Sequence, residues 1–174
     1  IALIAQDIRI DDPQALDDLA EIKSIANESV AAMRDITRLV QSDRYGSDDL
    51  PQLLRDTSER MLRGLTHRID IDEQITTRHL SVDRQRDLML ILKEALHNIT
   101  RHARATEAAV RLQRHHDALV LIVEDNGQGF DPAAPVSGMG LTNLRRRAEK
   151  HQGRVVIRSS PQGTILTLNL PLHA

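Results

Sequence analysis

Residues 124–140 read EDNGQGFDPAAPVSGMG, and the rest of the chain is organised around them. They follow an apolar run, residues 119–123 (LVLIV), with the length and β-branched content of a buried strand. An acidic residue ending a buried strand, followed at once by Gly127 and Gly129, makes a turn where backbone can approach a ligand while the Asp125 carboxylate points into a pocket. That carboxylate can accept from an exocyclic amine, and glycines remove Cβ atoms that would collide with a base. A second pair, Gly138 and Gly140, opens the next helix, where free N–H groups and the helix dipole favour a phosphate. Glycine pairs near strands also occur in ordinary surface turns. Neither a GxxxxGK[ST] loop nor a GxGxxG fingerprint is present.

The 174 residues suffice for one domain, or one small domain with a helical appendage. Tyr45 and Phe130 are the only aromatics, so the core must be aliphatic. A net charge of −2 and the lack of stacking side chains argue against direct nucleic-acid binding. The absence of cysteine excludes disulfides and thiolate zinc sites and fits a reducing compartment. No run approaches the roughly 18 apolar residues of a membrane span. Residue 1 is isoleucine within an apolar helical pattern (Ile1, Ile4, Ile8), which leads to the expectation of a fragment whose upstream sensor, membrane-anchored or not, lies outside it.

Taken in order, residues 1–10 read as a helix end stopped by Asp11, Asp12 and Pro13. A second helix to about residue 41 carries a heptad-like seam at Leu19, Ile22, Ala26, Val30, Met33, Ile36 and Val40. The polar stretch 42–49 is taken as the boundary between a partial helical hairpin (1–45) and a globular domain (46–174). A short helix over 50–62, an edge strand over 67–71, and a helix over 82–104 capped by Ser81 follow, the last burying Leu88, Leu90, Ile91, Leu92, Ala95, Leu96 and Ile99. Strands at 108–112 and 119–124 flank a turn at His115, His116 and Asp117. A helix over 141–150 precedes Gly153, and strands at 154–158 and 164–170 are joined at Pro161, Gln162 and Gly163. The fold class is α+β: a two-layer sandwich of a mixed sheet covered on one face by helices.

On the long helix, Glu94 and Asn98 stand four apart on one face, with Arg101 and His102 on the next turn. Such a set can hold a magnesium ion and its triphosphate, Asn98 being the choice for direct metal ligand. An ordinary solvated helix face reads the same way in isolation.

In combination, KEALHNITRHA (93–103), EDNGQGF (124–130), GMGL (138–141) and the closing-strand Gly163-Thr164 resemble, in order and spacing, the N, G1 and G2 boxes and terminal Gly-Thr of histidine-kinase ATP-binding domains. Those share a superfamily with gyrase, the heat-shock chaperone ATPase and MutL. The form EAxxNxxRHA, with Glu94 where many kinases carry asparagine, is similar to the nitrate/nitrite-sensor and membrane-fluidity-sensor subfamily, which also has a short lid, here residues 131–137. ESVAAMRDITRLV (28–40) resembles that subfamily's second dimerisation helix.

The resemblance implies that Asp125 binds the adenine amine with support from Thr164 through water. Gly127 and Gly129 would shape the adenine pocket, Asn98 bind magnesium, and Gly138, Gly140 and Leu141 contact phosphate, with Arg101 and His102 near the phosphates. Glu94 matches the water-activating base of the gyrase branch, and His97 departs from the subfamily's frequent threonine. The function implied is the ATP-binding catalytic core of a sensor histidine kinase, a cytoplasmic homodimer using ATP and Mg²⁺ and a response regulator receiver domain as partner. Its phosphoacceptor histidine is expected upstream of Ile1, since His116 before Asp117 falls in a turn. The fragment alone is therefore expected to bind ATP without autophosphorylating. A gyrase/MutL-type ATPase clamp and a non-catalytic dimerising module are the alternatives.

Overall fold

The computed structural model describes residues 50–75, 80–131 and 140–172. The expected hairpin over 1–45 and the lid glycine Gly138 lie outside the described residues. Among those described, five strands form one sheet in the order β1-β2-β3-β5-β4. β1 (Thr66–Ile71) lies parallel to β2 (Glu107–His115), while β3 (Ala118–Asp125), β5 (Gly163–Pro171) and β4 (Arg154–Ser160) each join antiparallel. The mixed sheet of the sequence reading is thus present, with β1 at one edge as expected.

Alternation decides which face is buried. Leu119, Leu121 and Val123 of β3 point inward, and the register sets Leu112, Leu121, Leu168 and Val155 in one cross-strand row. Val110, Val123, Leu166 and Ile157 form the next. Because the period is two residues, the row after that falls on Ala108, Asp125, Thr164 and Ser159. The register that builds an apolar core therefore delivers a polar row to one end of its inner face.

Helices α1 (Leu50–Met61), α2 (Val82–Asn98) and α3 (Gly140–Glu149) complete the domain. Ser81 caps α2, its Oγ accepting from the Arg84 amide at 3.3 Å. Leu88, Ile91, Leu92 and Leu96 are essentially fully buried, and each stabilises by about 1.5–3 kcal/mol relative to exposure. Leu90, expected in that face, is only half-buried, because it sits two residues beyond Leu88 and so on the opposite side of the helix. Buried Arg84 donates from Nη1 to the Leu172 carbonyl at 2.8 Å, tying the first turn of α2 to the end of β5. Arg55 of α1 donates to the Ile69 and Ile71 carbonyls at 3.4 and 3.2 Å. The β1 edge is thereby covered by a charged side chain rather than left open to pairing.

α3 lies along α2 in the opposite direction. Gly140, its first residue, is packed against the Glu94 side chain, and near its other end Arg147, Lys150 and His151 surround Asp87. Gln152 closes the helix with φ 59°, and the Gly153 amide donates to the Ala148 carbonyl at 2.9 Å. The left-handed residue is thus Gln152 and not Gly153. Gly153 serves instead for clearance, since a Cβ there would stand 2.7 Å from the Asn169 carbonyl oxygen.

Candidate functional site

Asp125 is the last residue of β3 and only 8% exposed. Its Oδ1 accepts from the Gly127 amide at 2.8 Å. Burial pushes its carboxyl above the ordinary range, and backbone N–H groups of Gly127 and Thr164 pull part of the way back. Beside it in the row, Thr164 Oγ1 and Ser159 Oγ lie 2.9 Å apart. A buried, partly compensated carboxylate next to a hydroxyl is built to accept one hydrogen from a partner that also offers an acceptor.

The turn after Asp125 is fastened on both sides. Asn126 Oδ1 accepts from the Thr106 and Glu107 amides, each at 2.9 Å, and its Nδ2 donates to Thr106 Oγ1 at 2.9 Å. The Gln128 amide donates to the Ala103 carbonyl at 2.8 Å and its Nε2 to the His102 carbonyl at 2.9 Å. On the other side the Phe130 amide donates to Ser159 Oγ at 2.9 Å.

The close approach that each turn glycine makes is to the chain itself. A Cβ on Gly127 would strike the Ala103 carbonyl, and one on Gly129, at φ 62°, the Ser160 carbonyl. Gly127→Ala is accordingly expected to destabilise the domain by about 2 kcal/mol. Its neighbour is backbone and cannot rotate away, so thermal unfolding should show the loss directly.

α2 does not continue unbroken to residue 104 as its pattern suggests. The α-helix ends at Asn98, and Ile99–Ala103 form a π turn terminated by Arg104 at φ 53°. The Ile99 amide still bonds back into α2, shared between the Ala95 and Leu96 carbonyls. No proline or glycine announces it, which is why periodicity alone missed it. Glu94 and Asn98 remain one α-helical turn apart and half-exposed, while Arg101 and His102 stand exposed on the π turn. The His97 and His102 rings meet edge-to-face, with centroids 6.3 Å apart.

Among the candidate residues, the structure brings the glycine turn onto the end of the π segment and Gly140 onto Glu94, two contacts the sequence does not announce. Leu141, half-exposed, is the second residue of α3. The first turn of α3 carries N–H groups without intrahelical partners, facing a helix that bears the oxygens of Glu94 and Asn98. Among the described residues no group of three or more His, Cys, Asp or Glu side chains could cage a metal. The donor set suits a hard cation that takes few protein oxygens and completes its shell from phosphate and water. Asn126, Gln128 and Ser159 escaped the sequence reading. Asn126 and Gln128 lie inside the quoted motif, but Ser159 becomes visible only once the strand register is known.

Residues 83–174 match the family described as histidine kinase-, DNA gyrase B-, and HSP90-like ATPase. The chain belongs to that family and carries its ATP-binding domain. The relatives it resembles include sensor histidine kinases. It is 35% identical over 108 residues to the sensor histidine kinase MctS of Rhizobium johnstonii, covering 60% of this chain and 23% of that protein. It is 27% identical over 165 residues to the nitrate/nitrite sensor protein NarQ of Escherichia coli, covering 94% of this chain and 29% of that protein. The fold matches the histidine kinase domain of the Erythrobacter litoralis EL346 blue-light activated histidine kinase with a TM-score of 0.63 at 19% identity, over 71% of this chain and 61% of that one. The chain thus spans less than a third of the length of either curated relative. No helix among the described residues is long and apolar enough to cross a membrane.

Proposed function

We propose that this chain is the ATP-binding catalytic core of a cytoplasmic sensor histidine kinase module, with residues 46–174 as the ATP domain and residues 1–45 as part of the homodimerising hairpin. The observation that carries the reading is the buried Asp125 carboxylate, in one row with Thr164 and held at the head of a glycine turn that docks on the π turn after α2. Asp125 and Thr164 would read the adenine edge, Gly127 and Gly129 set the turn, and Asn98 would ligate magnesium. Gly138, Gly140 and Leu141 would meet the phosphates through the start of α3, with Arg101 and His102 nearby.

When bound, ATP supplies the γ-phosphoryl group, and magnesium offsets the charge on its phosphates. The residues themselves need only align and neutralise, since phosphoryl transfer asks little covalent chemistry of a protein. The acceptor would be a histidine on a dimerisation helix, and the phosphate would pass on to a response regulator receiver domain.

Calorimetric titration with ATP, with and without magnesium, tests the site. The parent chain should bind ATP more tightly with magnesium, and Asn98→Ala should lose that magnesium dependence while still binding nucleotide. Failure of the parent to bind ATP sinks the proposal. The contact of Glu94 with Gly140 at the head of α3 keeps an ATPase reading in play, with Glu94 activating water as in the gyrase branch. ATP turnover abolished in Glu94→Ala with affinity retained would favour it.

A further inference from the structure

Ser159 belongs to none of the motifs that define the proposed site, yet its side chain joins the two halves of it. Its Oγ accepts from the Phe130 amide at 2.9 Å and lies 2.9 Å from Thr164 Oγ1. Phe130 is where the chain leaves the glycine turn, and Thr164 is the cross-strand partner of Asp125. Ser159 is itself the register partner of Thr164 on the edge strand β4. The half-buried hydroxyl therefore stands in the same inner row as the carboxylate.

The direction of the Ser159–Thr164 bond sets the polarity of the row, and either hydroxyl can donate across it. The Phe130 N–H occupies one lone pair of Ser159 Oγ and leaves its proton free to be donated to Thr164 Oγ1. With Ser159 as the donor, the Thr164 proton is released to point outward, and Thr164 becomes a donor alongside the Asp125 acceptor. We propose that Ser159 is a specificity-positioning residue: accepting from Phe130 and donating to Thr164, it makes the row present an acceptor beside a donor. That pattern complements a 6-aminopurine edge, whose amine donates and whose ring nitrogen accepts. It opposes a 6-oxopurine, whose carbonyl accepts and whose ring N–H donates. A water bridging Thr164 to the base would transmit the same polarity, since a water that accepts from the hydroxyl donates onward. The inference rests on reading this row as the base-binding site.

The test compares ATP with ITP, which differs from it by a 6-oxo group in place of the amine, on the parent chain, Ser159→Ala and Ser159→Thr at fixed magnesium. The parent should prefer ATP. Ser159→Ala should erode that preference by about tenfold, the scale of one hydrogen bond whose direction is lost, and Ser159→Thr should restore it. In the nucleotide-free proteins, exchange of the Phe130 amide proton should quicken in Ser159→Ala but not in Ser159→Thr.

An unchanged ATP-to-ITP ratio in Ser159→Ala overturns the assignment even if both affinities fall, because a uniform drop reports only a loosened turn. If thermal unfolding shows Ser159→Ala to be misfolded, Thr164→Val against Thr164→Ser carries the same comparison, and a ratio that Thr164→Val leaves intact overturns it as well. A parent chain that binds no ATP defeats the underlying nucleotide reading, and the assignment with it.

Discussion

Asp125→Asn is expected to weaken ATP binding about a hundredfold under the proposed base-reading role, because an amide N–H₂ turned toward an exocyclic amine sets donor against donor in a buried site. The fold should respond quite differently. Burial holds the Asp125 carboxyl above its ordinary range despite the amides of Gly127 and Thr164. A raised folded-state value means that the stability contributed by the carboxyl is fully present below its unfolded pKa and is lost as pH rises through the folded one. Asparagine has no such dependence. The unfolding midpoint of the variant should therefore improve relative to the parent as pH rises from about 3 to 7. Calorimetry and pH-resolved thermal unfolding check both halves. A variant that loses ground to the parent as pH rises would show that the carboxylate is stabilised where it sits.

Asp87→Ala should act through the opposite sign and on stability first. Asp87 is 2% exposed. Its Oδ2 accepts from Lys150 Nζ at 3.0 Å and pairs with His151 Nε2 at 2.8 Å, while Arg86 and Arg147 approach Oδ1 at 3.9 Å. Burial pushes this carboxyl up, but the hydrogen bonds from His151 and Lys150 and the charges of Lys150 and Arg86 outweigh it and leave it below the ordinary value. Arg86, Arg147 and Lys150 are partly exposed and regain water when Asp87 is removed, so the loss is that of its buried hydrogen bonds, about 2 kcal/mol. Arg86 Nε, already a buried nitrogen without a hydrogen-bond partner, would be worse placed still.

The loss should lower the unfolding midpoint by about 5–10 °C. The lowered folded-state value places the Asp87 contribution above the unfolded pKa, and it disappears as pH falls through the folded one. The parent's advantage over Asp87→Ala should accordingly shrink in acid, below about pH 4. A variant as stable as the parent at pH 7 would remove Asp87 from any part in holding α3 on α2. Since α3 begins at the proposed phosphate end, a folded but weakened variant should also bind ATP less tightly.

The contrast between these two aspartates shows what the sequence could and could not carry. Asp125 was legible because a carboxylate at the end of a β-branched run, followed by two glycines, is a local pattern. Asp87 sits among Arg84, Gln85 and Arg86 in a stretch that looks solvated, and its burial depends on α3 arriving from more than fifty positions away in the chain. The strands, their order of appearance and the edge position of β1 followed from alternation and turn residues. The pairing of Ser159 with Thr164, and so the composition of the polar row, required a register that short-range pattern does not specify. The end of α2 was misread for a related reason. ITRHA continues the helical period well, and only the docking of Gln128 on Ala103 reveals that the winding has changed.

That docking has a consequence for how the segment tolerates alteration. The turn grips residues 102 and 103 through their carbonyl oxygens, and Gly127 lies against the Ala103 backbone. Side-chain identity at exposed Thr100 and His102 is therefore nearly irrelevant to where those carbonyls hold the turn, whatever the two residues do for a ligand. The number of residues between Asn98 and Arg104 is not. Excising a single residue there would restore ordinary α-helical winding, swing both carbonyls to another azimuth and cut the turn loose, so this stretch should accept many spellings but only one length.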